Sequence, residues 1–126
     1  AMYAGHNKLN NLCAIIDYNK LQSDDFNSNI VSLEPLADKW KAFNWNVIEI
    51  DGHNFLELEQ SFEKAKRELN KPTVIIANTI KGKGVSFMEG SPLWHGSVAL
   101  SDEDLVTSLN ELALSTEQIK KYIDEK

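Results

Sequence analysis

Asn11-Leu12-Cys13-Ala14-Ile15-Ile16-Asp17-Tyr18-Asn19-Lys20-Leu21 is an apolar run of strand length that stops abruptly in polar residues. The unbroken apolar stretch from Leu12 to Ile16 fits a strand covered on both faces, so it predicts a central parallel strand over residues 12–17. Open α/β sheets bind ligands beyond the carboxyl ends of their strands, which makes the polar residues after Ile16 candidates for chemistry. Cys13 sits inside the run, where a thiol with no activating neighbour reads as a buried core group.

The alternation continues downstream. Ser32 is placed to cap a helix over about 33–43, with Leu33, Leu36, Ala37, Trp40 and Phe43 at helical spacing and Pro35 in its first turn. Asn46–Ile50 reads as a second strand, and Asn54 with Glu57 has the spacing of a capping box that opens another helix. That helix carries Phe55, Leu58, Phe62, Ala65 and Leu69 on one stripe and ends before Asn70-Lys71-Pro72. Thr73–Ile80 is the third strand. Two strand–helix–strand units in succession give the fold class: α/β, a parallel sheet with helical crossovers. Trp40, Phe43, Trp45 and Phe55 fall at core or helix-to-sheet positions.

Around this frame, residues 1–9 read as the last turns of a helix and Gln22–Asn29 as a polar loop. Residues 81–100 form a stretch with glycines, a proline and no period, long for an idle connection and therefore a candidate functional loop. Ser101 with Asp104 opens an amphipathic helix through Leu105, Leu109, Leu112 and Ala113; Thr116–Lys126 extends or follows it through Ile119, Tyr122 and Ile123 as a tail suited to a partner surface.

The chain has 126 residues and a formal net charge of −6, enough for one domain with a real core and the wrong sign for a polyanion. Nucleic acid is excluded as a partner by that charge and by the lack of a basic face with interleaved aromatics. A single cysteine rules out an internal disulfide framework, and no apolar segment approaches the ~20 residues that span a bilayer. The expectation is a soluble, cytoplasmic protein without membrane contact.

Taken as residues alone, Asp17, Asn19 and the Leu21 carbonyl offer hard oxygens that suit Mg²⁺ or Ca²⁺, although an Asx turn ending a strand has the same sequence. Lys81-Gly82-Lys83-Gly84 makes a glycine-bearing turn whose amides could approach a phosphate, without the spacing of a P-loop. His95, between Trp94 and Gly96, carries an imidazole, a side chain suited to moving protons, although a lone histidine is as readily structural or simply exposed. His6 and His53 read as structural, one at a helix end and one in the turn after Asp51-Gly52.

The stretch from Ala1-Met2-Tyr3-Ala4-Gly5-His6-Asn7-Lys8-Leu9 through Ile15–Gln22 resembles the thiamine diphosphate domain of transketolases. So do SLEPLADK (32–39), VIEIDGH (47–53), KPTVII (71–76), KGKGVSFM (81–88) and the Trp94-His95-Gly96 triplet. The likeness runs to about Leu114 and is nearest to the type in which transketolase is split into two subunits. It implies part of a thiamine diphosphate-binding fold over 1–114, the diphosphate side of the domain, with a helical tail over 115–126.

It also implies roles. Asn19 and Leu21 match two ligands of the Mg²⁺ (or Ca²⁺) that bridges the cofactor's phosphates, Lys81 and Gly82 match the loop bordering the cofactor, and His95 matches the histidine that reaches the diphosphate and the reacting substrate. The implied activity is two-carbon ketol transfer between sugar phosphates, as in the pentose phosphate pathway. The family's Gly-Asp-Gly metal segment is absent from these residues, and Ser23-Asp24-Asp25 replaces its glycine-containing turn. The chain is therefore expected to be a piece of a transketolase N-terminal subunit, inactive alone, completed by a complementary subunit in a homo- or hetero-oligomer. Another thiamine enzyme, such as one like deoxyxylulose phosphate synthase, is the alternative within enzymes; a noncatalytic assembly module is the alternative outside them.

Overall fold

The computed structural model describes residues 1–96 and 98–124, the side chains of 122–124 excepted. In chain order its elements are α1 (Met2–His6), β1 (Cys13–Tyr18), β2 (Leu21–Gln22), β3 (Asp25–Phe26), α2 (Asn27–Ile30), α3 (Leu36–Ala42), β4 (Asn46–Asp51), α4 (Phe55–Arg67), β5 (Thr73–Asn78), a 3₁₀ turn (Pro92–Trp94), α5 (Asp102–Glu111) and α6 (Thr116–Asp124). They fall into two compact units, Ala1–Lys20 with Asn27–Thr79, and Leu21–Phe26 with Ile80–Lys126.

The first unit is a parallel sheet in the order β1-β5-β4. The central strand β5 is a β-branched run whose Val74, Ile75 and Ile76 are fully buried, each stabilising the fold by about 1.5–3 kcal/mol. Its side chains alternate. Val74 and Ile76 join Ala4, Tyr18 and Trp45 in one core roofed by α3, while Ile75 and Ala77 join Ile50 and Leu58 in a second core under α4. Trp40 meets Trp45 edge to face, with ring centroids 4.8 Å apart, and the Trp45 indole N–H donates to the Ala1 carbonyl at 2.9 Å. The register sets Tyr18, Asn78 and Asp51 side by side at the carboxyl edge of the sheet.

β1 is an edge strand and not the central one; it pairs with β5 only, and its second face, bearing Cys13, Ile15 and Asp17, is exposed because α4 packs over β4 and β5. Ile15 is 55% exposed and Cys13 is an exposed thiol rather than a core group. On α4 the buried stripe is Ser61 and Ala65 with Leu58 beside them; Phe55, at the first position of the helix, is 86% exposed, and Leu69 lies past its end and is exposed. Phe43 is likewise exposed.

The helix expected from 33 starts at Leu36, because Pro35 stays extended at the cap and the Glu34 carboxylate accepts the Leu36 N–H at 3.0 Å, the work assigned to Ser32. Asn54 caps α4 as expected through the Leu56 and Glu57 amides, whereas Glu57 turns back to the Asp51 N–H instead of the cap residue's own. The loop expected over 22–29 contains β3 and the start of α2.

In the second unit, β2 and β3 form a two-stranded antiparallel ribbon. Its turn places Ser23 at φ +52°, the left-handed region where a glycine is the usual occupant. Ser101 and Asp104 complete the reciprocal capping box of α5. The helix stops at Leu112 with Ala113 at φ +60°, so α6 follows it as a separate helix, with Ile119 buried; the side chains of Tyr122 and Ile123 lie outside the described residues. Among the described residues no helix is long and apolar enough to cross a membrane.

Candidate functional site

Asn19 is the first residue beyond β1, at the carboxyl edge of the sheet, and is half-buried. Both its neighbours are held by side-chain contacts. The Tyr18 hydroxyl donates to Glu34 Oε1 at 2.5 Å, and the Lys20 ammonium lies 3.2 Å from the centroid of the Tyr18 ring while donating to Asn78 Oδ1 at 3.0 Å. Asn78 in turn donates from Nδ2 to the Ile50 carbonyl at 3.2 Å, which ties the ends of β4 and β5 together. Asp17 is engaged by the Thr79 hydroxyl, which donates to its Oδ1.

This cluster shifts its own titrations. Burial, followed by the hydrogen bond to Glu34 and its negative charge, pushes the Tyr18 phenol up to about 12. The Glu34 carboxyl is held below the ordinary carboxylate range, first by the Tyr18 hydroxyl and then by the Leu36 N–H. Burial lowers the Lys20 ammonium, against the opposing pull of Glu34 and Glu49.

The remaining predicted residues belong to the second unit. Leu21 opens β2, buried and paired with Phe26. Lys81 accepts the Gly90 N–H on its carbonyl at 2.9 Å, closing the loop 81–90 on itself. Gly82 sits at φ +75°, and a Cβ there would lie 2.7 Å from Met88 Cβ and 2.8 Å from Met88 backbone atoms, so this position admits glycine alone without movement. The Gly84 amide and the Lys83 ammonium both turn to the Glu89 carboxylate, at 3.0 and 3.3 Å, so these donors are engaged within the loop.

His95 closes the 3₁₀ turn, donating its N–H to the Pro92 carbonyl at 3.1 Å. The adjoining Trp94 packs edge to face on Phe87, centroids 5.2 Å apart. His95 lines a cavity of about 270 Å³ with Ser23, Asp24, Pro92, Leu93 and Gly96. Lys81 and Gly82 are not among the residues that line it.

Sequence reasoning missed the Tyr18–Lys20–Glu34–Asn78 cluster and the position of Ser23 and Asp24 beside His95. A partial signal for the first was present: each strand of the sheet passes from apolar to polar residues at its carboxyl end, β4 and β5 together at Asp51 and Asn78 and β1 one position earlier at Asp17.

The donors at Asn19 and Leu21, an amide oxygen and a peptide carbonyl, are neutral hard oxygens. Among the described residues no group of three or more His, Cys, Asp or Glu side chains could hold a metal. Such donors fit a magnesium-like ion that takes most of its shell from phosphate and water, and they leave its charge to be met by an anionic ligand.

Known proteins resemble this chain in sequence and in fold. The family described as transketolase, thiamine diphosphate binding domain, matches residues 1–122. The 6-deoxy-6-sulfo-D-fructose transketolase subunit SqwG of Clostridium sp. (strain MSTE9) is 48% identical over 112 residues, covering 89% of this chain and 40% of that protein. An apulose-4-phosphate transketolase subunit from Phocaeicola vulgatus is 37% identical, covering 96% of this chain and 43% of its own length. The chain thus spans about two-fifths of these curated relatives. The crystal structure of transketolase from Campylobacter jejuni superposes with a TM-score of 0.81 at 29% identity, over 90% of this chain and 18% of that one. By sequence and by fold, the chain belongs to the transketolase family and matches part of its thiamine diphosphate-binding region.

Proposed function

We propose that this chain forms the diphosphate side of the cofactor site in a two-subunit transketolase, which moves a two-carbon ketol unit between sugar phosphates once a complementary subunit is in place. The observation that carries the reading is the position of Asn19, one residue beyond a parallel strand at the edge of the sheet where α/β proteins bind ligands. Support for a partner comes from relatives that are themselves named as transketolase subunits, one for 6-deoxy-6-sulfo-D-fructose and one for apulose-4-phosphate.

In this reading the Asn19 side-chain oxygen and the Leu21 carbonyl bind Mg²⁺, and Ca²⁺ can substitute. Lys81 and Gly82 border the cofactor, and His95 holds or delivers a proton at the substrate oxygen. Thiamine diphosphate, when bound, supplies the carbanion-stabilising centre that lets the ketose C–C bond break and reform. The protein binds, orients and excludes water.

The test is reconstitution. The assembled protein, with thiamine diphosphate and Mg²⁺, should transfer two carbons from a ketose phosphate to an aldose phosphate and leave pyruvate untouched, while this chain alone should show no turnover. Absence of transfer in the assembled protein, or turnover of pyruvate in its place, overturns the reading.

A further inference from the structure

Asn19 lies between two residues whose side chains touch each other. Lys20 adopts φ +66°, a left-handed conformation that a residue with a side chain adopts only when its surroundings hold it there. Three contacts do so: the ammonium on the Tyr18 ring face at 3.2 Å, its hydrogen bond to Asn78 Oδ1 at 3.0 Å, and the Lys20 carbonyl, which accepts the Asn27 N–H at 2.9 Å. Each anchor is itself fixed. The Tyr18 ring is buried and its hydroxyl is bound by Glu34 at the start of α3, and Asn78 ends the fully buried central strand and reaches the Ile50 carbonyl on β4.

We propose that Lys20 is a positioning residue for the Asn19 ligand: by bridging Tyr18 and Asn78 it holds the strand-end turn in the conformation that presents Asn19 to a divalent cation. This rests on the reading of Asn19 given above. The role has a diagnostic sign. An ammonium one residue from a cation ligand opposes the cation by charge alone, so deleting it would tighten metal binding if Lys20 did nothing else. A positioning role demands the reverse, since loss of a group that orients a ligand costs about 10- to 100-fold in affinity.

Lys20→Met and Lys20→Arg in the assembled protein separate these. Mn²⁺ serves as the spectroscopic probe, titrated with thiamine diphosphate present, and amide hydrogen exchange at residues 19 and 20 is read without metal, with β5 as the control for an intact fold. Lys20→Met should weaken Mn²⁺ binding about tenfold or more and speed exchange at residues 19 and 20 while β5 stays protected. Lys20→Arg should restore most of the affinity, because a guanidinium can both stack on Tyr18 and donate to Asn78.

If Lys20→Met loses β5 protection, Lys20→Gly takes its place, since glycine accepts the positive φ without strain and deletes the same contacts. Mn²⁺ binding that is unchanged or tighter in the variant, or exchange that is unchanged, overturns the proposal. Wild-type protein that fails to bind Mn²⁺ with thiamine diphosphate overturns the cofactor reading and this inference with it; a wild type that binds normally beside an unaffected variant overturns the inference alone.

Discussion

Replacing Gly5 with alanine sets helix propensity against a backbone contact. Gly5 lies within α1 and is buried; alanine at a helical site gains about 0.5–1 kcal/mol over glycine. A Cβ at this position, however, would sit 1.8 Å from the carbonyl oxygen of Phe43 and 3.0 Å from its carbon. Those are backbone atoms at the C-terminal cap of α3, so no rotamer change relieves the clash. To bring the Cβ and oxygen even to 3.0 Å, the two segments must part by roughly 1.2 Å.

That movement strains the Trp45 indole bond to the Ala1 carbonyl and the Asn44 amide bond to the Gly5 carbonyl. Overpacking of this kind costs about 1–3 kcal/mol and a lost hydrogen bond about 1 kcal/mol more. After the propensity gain is subtracted, the net effect is a loss of about 1–3 kcal/mol. In urea, with a slope of about 2 kcal/mol/M, the unfolding midpoint should fall by roughly 0.5–1.5 M. Tryptophan fluorescence follows the transition, and Gly96→Ala, where nothing lies within 4 Å, is the control. A Gly5→Ala protein as stable as wild type, or an equal loss in the control, refutes the argument.

Gly82→Ala combines a strained φ with contact against the Met88 backbone, so the 81–90 loop should open; faster proteolysis there and weaker thiamine diphosphate binding by calorimetry are expected, and an unchanged loop contradicts the geometry. Tyr18→Phe removes the main group that depresses Glu34. Because the folded pKa of Glu34 lies below its unfolded value of about 4.3, its stabilising effect is present above that pH and lost as pH falls through the folded value; Tyr18→Phe should flatten this acid-side loss in unfolding measurements. At the alkaline end, the phenol raised to about 12 carries stability that is full below about pH 10 and lost as pH rises towards the folded value, a dependence the same variant abolishes. His95→Asn should cut transfer by the assembled protein about 10²-fold or more while leaving the midpoint of unfolding nearly unchanged, since the ring is exposed.

Elements with local punctuation were readable in the sequence. Asn54 and the Ser101–Asp104 box mark their helices because a cap is made between residues three apart. The order of strands was not readable: Leu12–Ile16 and Val74–Ala77 are equally apolar, and only the pairing reveals that the second lies between two neighbours. The same ambiguity makes Cys13 read as a core thiol, whereas Phe55 shares the helical spacing of the α4 stripe but stands at the first position of the helix, where it is exposed. Asn19, Leu21, Lys81, Gly82 and His95 stand out by residue type and position, and the family likeness is what attaches a specific role to each. The contacts of Lys20 were hidden, because its partner Asn78 is 58 residues away and nothing local encodes their meeting.

The distribution of tryptophans has a practical optical consequence. Trp40 and Trp45 pack edge to face in the sheet unit, whereas Trp94 stands beside His95 in the other unit and touches Phe87. Emission from a protein with phenylalanine at 40 and 45 would come from Trp94 alone among this chain's indoles, and would report events at the histidine cavity without a label. The converse protein, with Trp94 replaced by phenylalanine, would report melting of the sheet. The two units thus carry separate intrinsic probes, and the response of each to added cofactor can be timed by fluorescence.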